Sequence, residues 1–168
     1  MASSYLIQRA QIIGAIREFF NGQGFIETDT PTLVLSPGME PHIRPLQVAD
    51  SGGAFLHTSP EFAMKKIMAR GYHKIFQICK CYRHEPKSDT HNPEFTMMEA
   101  YAAYWDYNDM MHLIEQLFEK LALALHKKTT VPYTNPETGE TIEVDLKAPW
   151  KRDRKSTRLN SSHLGISR

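Results

Sequence analysis

Cysteine, long apolar runs and secretory features are scarce in this chain, and each shortage excludes a class of protein. Only two cysteines occur among 168 residues, with no further metal ligands at suitable spacing, which argues against a metal site. No apolar run approaches the ~20 residues that a membrane-spanning helix requires. Residues 1–5 carry neither the basic start nor the apolar stretch of a secretory signal. We therefore expect a cytoplasmic protein that makes no contact with a membrane.

The two cysteines, Cys79 and Cys81, lie two positions apart in an apolar run that predicts a β-strand. Residues at this spacing point to the same face of a strand. Thiols in such runs are most often buried and inert. We interpret both cysteines as structural.

Composition and length indicate one ordinary globular domain. Apolar residues make up 41% of the chain and charged residues 23%, which is typical of soluble proteins with a core. Acids outnumber basic residues in residues 1–150, so the formal net charge of +1 comes from the C-terminal segment. An acidic body argues weakly against broad, non-specific binding of nucleic acid.

Periodicity predicts a mixture of helices and strands. Helical spacing of apolar residues predicts helices over 5–21, about 59–70 and 106–127. Thr58 or Ser59 is expected to cap the second helix, with Pro60 in its first turn, and Asp106 or Asn108 the third. Strands are predicted near 25–28, 45–49, 54–58, 73–82 and 94–105, and a small surface hairpin over 131–145.

The last segment, residues 153–168, has no periodicity, few apolar residues and many serines and arginines. Such a composition cannot bury a core face and predicts disorder. The segment also resembles translated sequencing-adapter tails. We therefore expect one domain over residues 1–152, followed by a disordered tail that is not native.

Chemistry concentrates on the predicted hairpin of residues 73–105. Arg83 ends its first strand, and Glu85 follows in the loop. A planar guanidinium makes paired hydrogen bonds to a phosphate, and a carboxylate accepts from an exocyclic amine. Phe95, early in the partner strand, offers a flat face for a base. Together these groups meet the needs of a nucleotide held on a sheet, whereas an isolated Arg-x-Glu would be an exposed ion pair.

The whole string resembles motif 2 of the class II aminoacyl-tRNA synthetases. Residues 82–85 (YRHE), a short loop and residues 91–99 (HNPEFTMME) are similar to its lysine-specific branch, and residues 24–31 (GFIETDTP) resemble motif 1 of the dimer interface. The resemblance implies an α+β fold, an antiparallel sheet flanked by helices, incomplete at the C-terminus. Motif 3 and the acidic pair for magnesium are not found in the chain, so we expect it to be inactive alone.

Two families of this branch remain open. One is lysyl-tRNA synthetase, which charges tRNA-Lys. The other attaches (R)-β-lysine to a lysine of elongation factor P, and three features favour it: the start close to motif 1, the loop at 36–42 (SPGMEPH) and residues 58–61 (TSPE). A non-catalytic synthetase-like module is a third alternative. Either enzyme would use ATP and Mg²⁺, act on lysine or β-lysine, and form a homodimer through motif 1.

The resemblance also implies residue roles for ATP. Arg83 would bind the α-phosphate and stabilise charge as pyrophosphate leaves, which makes it the catalytic residue. Glu85 would accept from the adenine amino group, Phe95 would stack beneath the adenine, and His84 and Asn92 would line the site. His84 departs from the family, in which asparagine is usual.

For the amino acid, the resemblance implies that Glu61 accepts from the substrate ammonium, Ser59 and Pro60 shape that wall, and Tyr101 contacts the lysine moiety. No ligand role is assigned to His91, and Glu99 is interpreted as a hydrogen-bonding element of the sheet.

Overall fold

The computed structural model describes residues 4–85, 88 and 91–152, and the disorder predicted for 153–168 lies outside these residues. The chain divides into two compact units, one formed by Ile16–Trp105 and the other by the described residues on either side of it. The described part contains three helices and eight strands: α1 (Ser4–Gly22), β1 (Ile26–Glu27), β2 (Leu33–Val34), β3 (Leu46–Gln47), β4 (Phe55–Leu56), α2 (Glu61–Met68), β5 (Lys74–Tyr82), β6 (Glu94–Ala102), α3 (Tyr107–His126), β7 (Thr130–Thr134) and β8 (Thr141–Asp145).

The long hairpin predicted from the sequence is the centre of the first unit. β5 and β6 pair antiparallel over their whole length, from Lys74 opposite Ala102 to Tyr82 opposite Glu94. β1 adds to the other edge of β5, and there the pairing is parallel. The α+β class with an antiparallel hairpin is confirmed, and the parallel edge strand is an addition that periodicity could not reveal.

Aromatic side chains join α1 to this sheet. Phe20 near the end of α1 stacks on Phe76 of β5 with ring centroids 4.9 Å apart, and Phe25 meets Phe20 edge-on at 5.1 Å. All three are buried. α1 ends here and the chain reverses direction because Gly24 adopts a φ of 77°. This conformation lets the Phe25 amide donate to the Phe20 carbonyl. The sequence predicted both the helix and its stop.

A second, smaller sheet has the order β2, β4, β3, all antiparallel. β3 and β4 fall within their predicted ranges but are shorter, and β2 was not predicted. His57, directly after β4, donates its amide to Thr32 and accepts at its carbonyl from the Tyr82 amide. These two bonds fix the segment that follows β4 beside the end of β5.

The start of α2 differs in detail from the prediction. The N-cap position is Pro60, whose side chain makes no capping bond, and Ser59 Oγ instead accepts from the Glu61 amide at 3.0 Å. Thr58 Oγ1 donates to the Pro37 carbonyl at 2.9 Å. Thr58 therefore holds the preceding loop rather than the helix, because that loop comes within its reach.

The other unit is built on α3 and the hairpin of β7 and β8. Asp106, and not Asn108, is the N-cap of α3 in a reciprocal capping box with Asp109. Leu113 and Leu117 form its buried stripe, and Glu115 pairs with Arg152. None of the described helices combines the length and apolar character that a bilayer crossing demands.

Candidate nucleotide and amino-acid site

Strand register brings the predicted site residues of β6 to one face. In an antiparallel pair, residues directly opposite each other share a face, and alternate residues along a strand do the same. Phe95, Glu99 and Tyr101 therefore project from the same side of the hairpin, with Cys81, Gln77 and Ile75 as their respective partners on β5. One face of the sheet therefore carries Phe95, which is expected to contact the base, and Tyr101, which is expected to contact the amino acid.

Arg83 lies at the nucleotide end of this face. Its amide donates to the Pro93 carbonyl at 2.9 Å, which continues the strand pairing by one residue. The guanidinium carbon lies 5.1 Å from the centroid of the Phe95 ring, within cation–π range. Nη2 reaches the Thr58 carbonyl at 3.5 Å, and the buried Nε has no hydrogen-bond partner among the described residues. Donor capacity is therefore left for a phosphate beside an aromatic face.

His84 and Glu85 line a cleft of about 500 Å³ next to Arg83. The His84 amide donates to the Arg44 carbonyl at 2.7 Å. Glu85 approaches His91, with 3.8 Å between the carboxylate and Nε2. The remaining lining residues are His42, Arg44 and Ser88. Beside the Glu85 carboxylate, one arginine and three histidines offer N–H donors that an anion could accept.

His42, Arg44 and His91 are residues of this cleft that sequence reasoning did not assign. His42 and Arg44 come from the loop before β3, which meets the hairpin tip only in three dimensions. No local pattern marks them. Asn92, assigned to the ATP site from the sequence, is exposed and is not among the residues that line the cleft.

Glu99 is the centre of the amino-acid end. One of its carboxylate oxygens accepts from Ser59 Oγ at 2.5 Å, and the other accepts from the Tyr101 hydroxyl at 2.8 Å. The structure thus brings Ser59 and Tyr101 together, as expected, but through a residue interpreted as a sheet element. The signal that could have found it is its spacing, since Glu99 is two residues from Tyr101 and must share its face.

Glu61 lies near this network without a direct bond to Glu99. Its side chain pairs with Lys65 one turn along α2. Burial, the hydrogen bond to Glu99 and the charges of Glu99 and Glu61 together raise the pKa of Tyr101. The phenol therefore stays protonated and donates, while two carboxylates lie on the side where an ammonium group is expected. Pro60, which lies between Ser59 and Glu61 in the sequence, is buried and occupies the N-cap position of α2.

Magnesium does not fit the described residues. This cation prefers several oxygen ligands, from carboxylates, waters and phosphates. Within residues 4–85, 88 and 91–152, the only group of three histidine, cysteine or acidic side chains with converging ligand atoms is His57, Cys79 and Cys81. Sulfur and imidazole ligands do not suit magnesium. The described residues therefore do not supply a magnesium site.

Comparison with known proteins decides the family. The profile of the tRNA synthetases class II (D, K and N) matches residues 1–161. The chain belongs to the class II tRNA synthetases of this group. The family predicted from the motifs at 24–31 and 82–99 is confirmed, together with its α+β class.

Relatives of this class II synthetase chain are lysine–tRNA ligases. The chain is 44% identical over 131 residues to that of Ectopseudomonas mendocina, covering 74% of the chain and 25% of the relative. It is 37% identical over 147 residues to that of Pelotomaculum thermopropionicum, covering 86% and 28%. It is 39% identical over 149 residues to Lysine–tRNA ligase 2 of Methanosarcina mazei, covering 87% and 28%. The chain thus spans about a quarter of the length of these curated relatives.

Proposed function

We propose that this chain binds ATP and a lysine-like amino acid on the face of the β5–β6 hairpin that carries Phe95, Glu99 and Tyr101, for activation of the amino acid as an aminoacyl-adenylate. The observation that carries the proposal is the placement of Arg83 over Phe95 on the same face as the Ser59–Glu99–Tyr101 network. Phe95 and Glu99 are four residues apart on one strand, about 13 Å at ~3.3 Å per residue. That separation suits an extended lysyl-adenylate, with its base at one end and its amine at the other.

At the nucleotide end, Phe95 would stack beneath the adenine and Glu85 would accept from its amino group. Arg83 would bind the α-phosphate. The substrate carboxylate attacks the α-phosphorus, a new P–O bond forms, and the bond to the β-phosphate breaks as pyrophosphate leaves. Negative charge grows on the α-phosphoryl oxygens during this step, and a fixed guanidinium stabilises it.

At the amino-acid end, Glu99 and Glu61 would accept from ammonium groups of lysine. A buried ammonium requires a charged or hydrogen-bonding partner, so two carboxylates near one another favour a dibasic substrate. Tyr101 would hold Glu99 in place and contact the lysine chain. Ser59 orients the same carboxylate from the opposite side and ties it to the start of α2.

For the acceptor of the activated amino acid, we propose a lysine of elongation factor P. The loop at 36–42 and residues 58–61 support it, and the hydrogen bond from Thr58 to Pro37 joins these two segments in space. The second candidate acceptor is tRNA-Lys, which is favoured by the names of the relatives. Action in the cytoplasm with ATP and Mg²⁺, the latter held outside the described residues, stays a prediction.

Binding of a stable adenylate analogue tests the shared site. Lysyl-sulfamoyl-adenosine, in which a sulfamate replaces the phosphate, is titrated into the 168-residue chain by calorimetry. We expect Arg83→Ala to weaken binding by about 10- to 100-fold, the loss of a charge-assisted hydrogen bond of about 1.5–3 kcal/mol. Arg70→Ala, which removes an exposed arginine just after α2, is the matched control and should bind as the parent chain does.

The Glu99→Gln variant tests the amino-acid end of the site separately from the nucleotide end. It should weaken the lysyl analogue and leave ATP binding unchanged, because only the amino-acid end loses charge. Absence of analogue binding, or equal binding by the Arg83→Ala variant, would favour the non-catalytic module. Fluorescently labelled elongation factor P and tRNA-Lys, added in turn to the analogue complex, then distinguish the acceptors. Binding of the tRNA alone would refute the protein acceptor.

A further inference from the structure

Three potential metal ligands, to which the proposed function assigns no role, converge on the face of β5 that is shared with Phe95 and Glu99. They are His57, which follows β4, and Cys79 and Cys81 of β5. Their ligand atoms all lie within 4.8 Å of one another. His57 is 2% exposed and Cys81 is fully buried, while Cys79 is half-buried. The cluster is therefore largely buried, and solvent reaches it at Cys79.

His57 is the unusual member of the cluster. Both of its ring nitrogens are buried, and neither has a hydrogen-bond partner in the part of the chain that the structure describes. An unsatisfied buried polar group costs about 1–3 kcal/mol, so such groups generally indicate a missing ligand or a functional role. The backbone of His57 is fixed by its bonds with Thr32 and Tyr82, which hold the imidazole beside the thiols.

The two thiols already have the spacing of metal ligands. Cys79 Sγ and Cys81 Sγ lie 3.9 Å apart. Two thiolates bound to tetrahedral zinc at ~2.3 Å are about 3.8 Å from each other. All ligand atoms of the cluster lie within 4.8 Å of one another, and the side chains that carry them can change rotamer.

The two thiols are close enough to affect each other's ionisation. The hydrogen bond from Cys81 lowers the pKa of Cys79, whereas that same bond and burial raise the pKa of Cys81. Both thiols would lose their protons as the cation binds, since cysteine coordinates zinc as the thiolate. The Met97 thioether, 3.9 Å from Cys81 Sγ, packs against the cluster, but zinc takes cysteine, histidine and carboxylate ligands in its place.

We propose that His57, Cys79 and Cys81 bind one zinc ion, with the fourth position open to water on the side of Cys79. The site adjoins the proposed nucleotide and amino-acid site, but its test does not rest on the proposed function, because the readout is metal binding alone. The ion would link the segment between β4 and α2 to β5 and thereby fix Ser59 and Arg83, which flank the ligands in sequence. The donor set of one imidazole and two thiolates selects zinc over magnesium or calcium.

Zinc binding by the untagged chain tests the proposal. The reduced, metal-free protein is titrated against a chromophoric zinc chelator, and cobalt is used as a spectroscopic substitute. We expect one equivalent of zinc. The cobalt form should show a thiolate-to-metal charge-transfer band and the intense visible bands of tetrahedral coordination. Stoichiometric binding should be lost, by roughly 100-fold or more in affinity, in both His57→Gln and Cys79→Ser, since each removes a direct ligand.

Two controls separate ligation from folding. His126→Gln removes an exposed histidine at the end of α3, and Met97→Leu removes the neighbouring thioether, and both should bind zinc as the parent chain does. Circular dichroism of each variant reports on its fold. A parent chain that binds no zinc above background overturns the proposal. So does unchanged zinc binding by the His57→Gln variant, because thiols alone would then account for it.

Discussion

Glu99 shows how one side chain can organise a site through its neighbours. Its two oxygens accept from Ser59, which precedes α2, and from Tyr101 on its own strand. The carboxylate is therefore held between two elements, and its remaining lone pairs are directed by these bonds. Its identity as an acid was visible in the sequence, but its importance depends on Ser59, a residue far away along the chain.

The ionisation of Tyr101 provides a test of this arrangement. Burial first, and then the bond to Glu99, raises its pKa above the ordinary 10.0. The unfolded chain therefore ionises before the folded one as pH rises. The contribution to stability is complete below about pH 10 and is lost as pH rises towards the folded pKa. We expect the parent chain to lose stability relative to Tyr101→Phe above about pH 10.

Urea unfolding at several alkaline pH values measures this difference. Tyr101→Phe keeps the ring and removes the titrating group, so effects of other tyrosines and lysines cancel between the two proteins. Parallel stability curves from neutral pH to about pH 11 would show that Tyr101 has no raised pKa.

Among the elements, the long ones follow local chemistry and the short ones do not. The ranges of α1, α3, β5 and β6 agree with the predictions to within a few residues, because each carries many apolar residues at a regular period. β2 has two residues and was missed, since its strand conformation depends on pairing with β4 and not on its own sequence. Asp106 and Asn108 were both predicted as caps of α3, and the structure shows Asp106 at the N-cap.

The cap of α3 provides the second test. Asp106 accepts from the amides of Asn108 and Asp109, and these bonds, led by that of Asp109, lower its pKa below the ordinary 3.8. We expect Asp106→Ala to lower Tm by about 2–6 °C, because the first turn loses its acceptor. Thermal unfolding by circular dichroism measures it.

The stability that Asp106 contributes should decrease in acid. A lowered pKa stabilises the fold above about pH 3.8, and that contribution disappears as pH falls through the folded pKa. Asp106→Asn keeps an oxygen acceptor without the charge and should recover most of the Tm at neutral pH. A Tm of the alanine variant equal to that of the parent chain would mean that the capping box does not stabilise α3.

For the molecule as a whole, exposed apolar side chains indicate a surface for a partner. Ile26, Leu33, Leu35 and Met39 are each at least half exposed, and Leu35 is 80% exposed. They lie in or just after residues 24–31, the segment that resembles motif 1. Large exposed apolar side chains are typical of association surfaces when they belong to one contiguous patch. We propose a second copy of this chain as the partner.

Self-association provides the third test. We expect the chain to form a dimer at micromolar concentrations, and Leu35→Glu to weaken the dimer at least about tenfold by placing a charge in an apolar interface. Analytical ultracentrifugation over a range of concentrations gives both dissociation constants. Ile142→Glu, at a half-exposed position of β8, is the matched control. A parent chain that stays monomeric, or an unchanged constant for Leu35→Glu, would exclude this surface.

The sequence by itself determined the family, the long helices and the hairpin, and it named Arg83, Glu85 and Phe95. These follow from motif chemistry and from periodicity, which are properties of neighbouring residues. Only the tertiary structure decided which distant groups meet. It joined Ser59 to Glu99, brought Arg44 to the anion cleft, placed Asn92 outside it, and set His57 beside two cysteines that had been interpreted without a third ligand. The physical reason is that strand register and loop closure create contacts between residues far apart in the chain, and no local pattern encodes them.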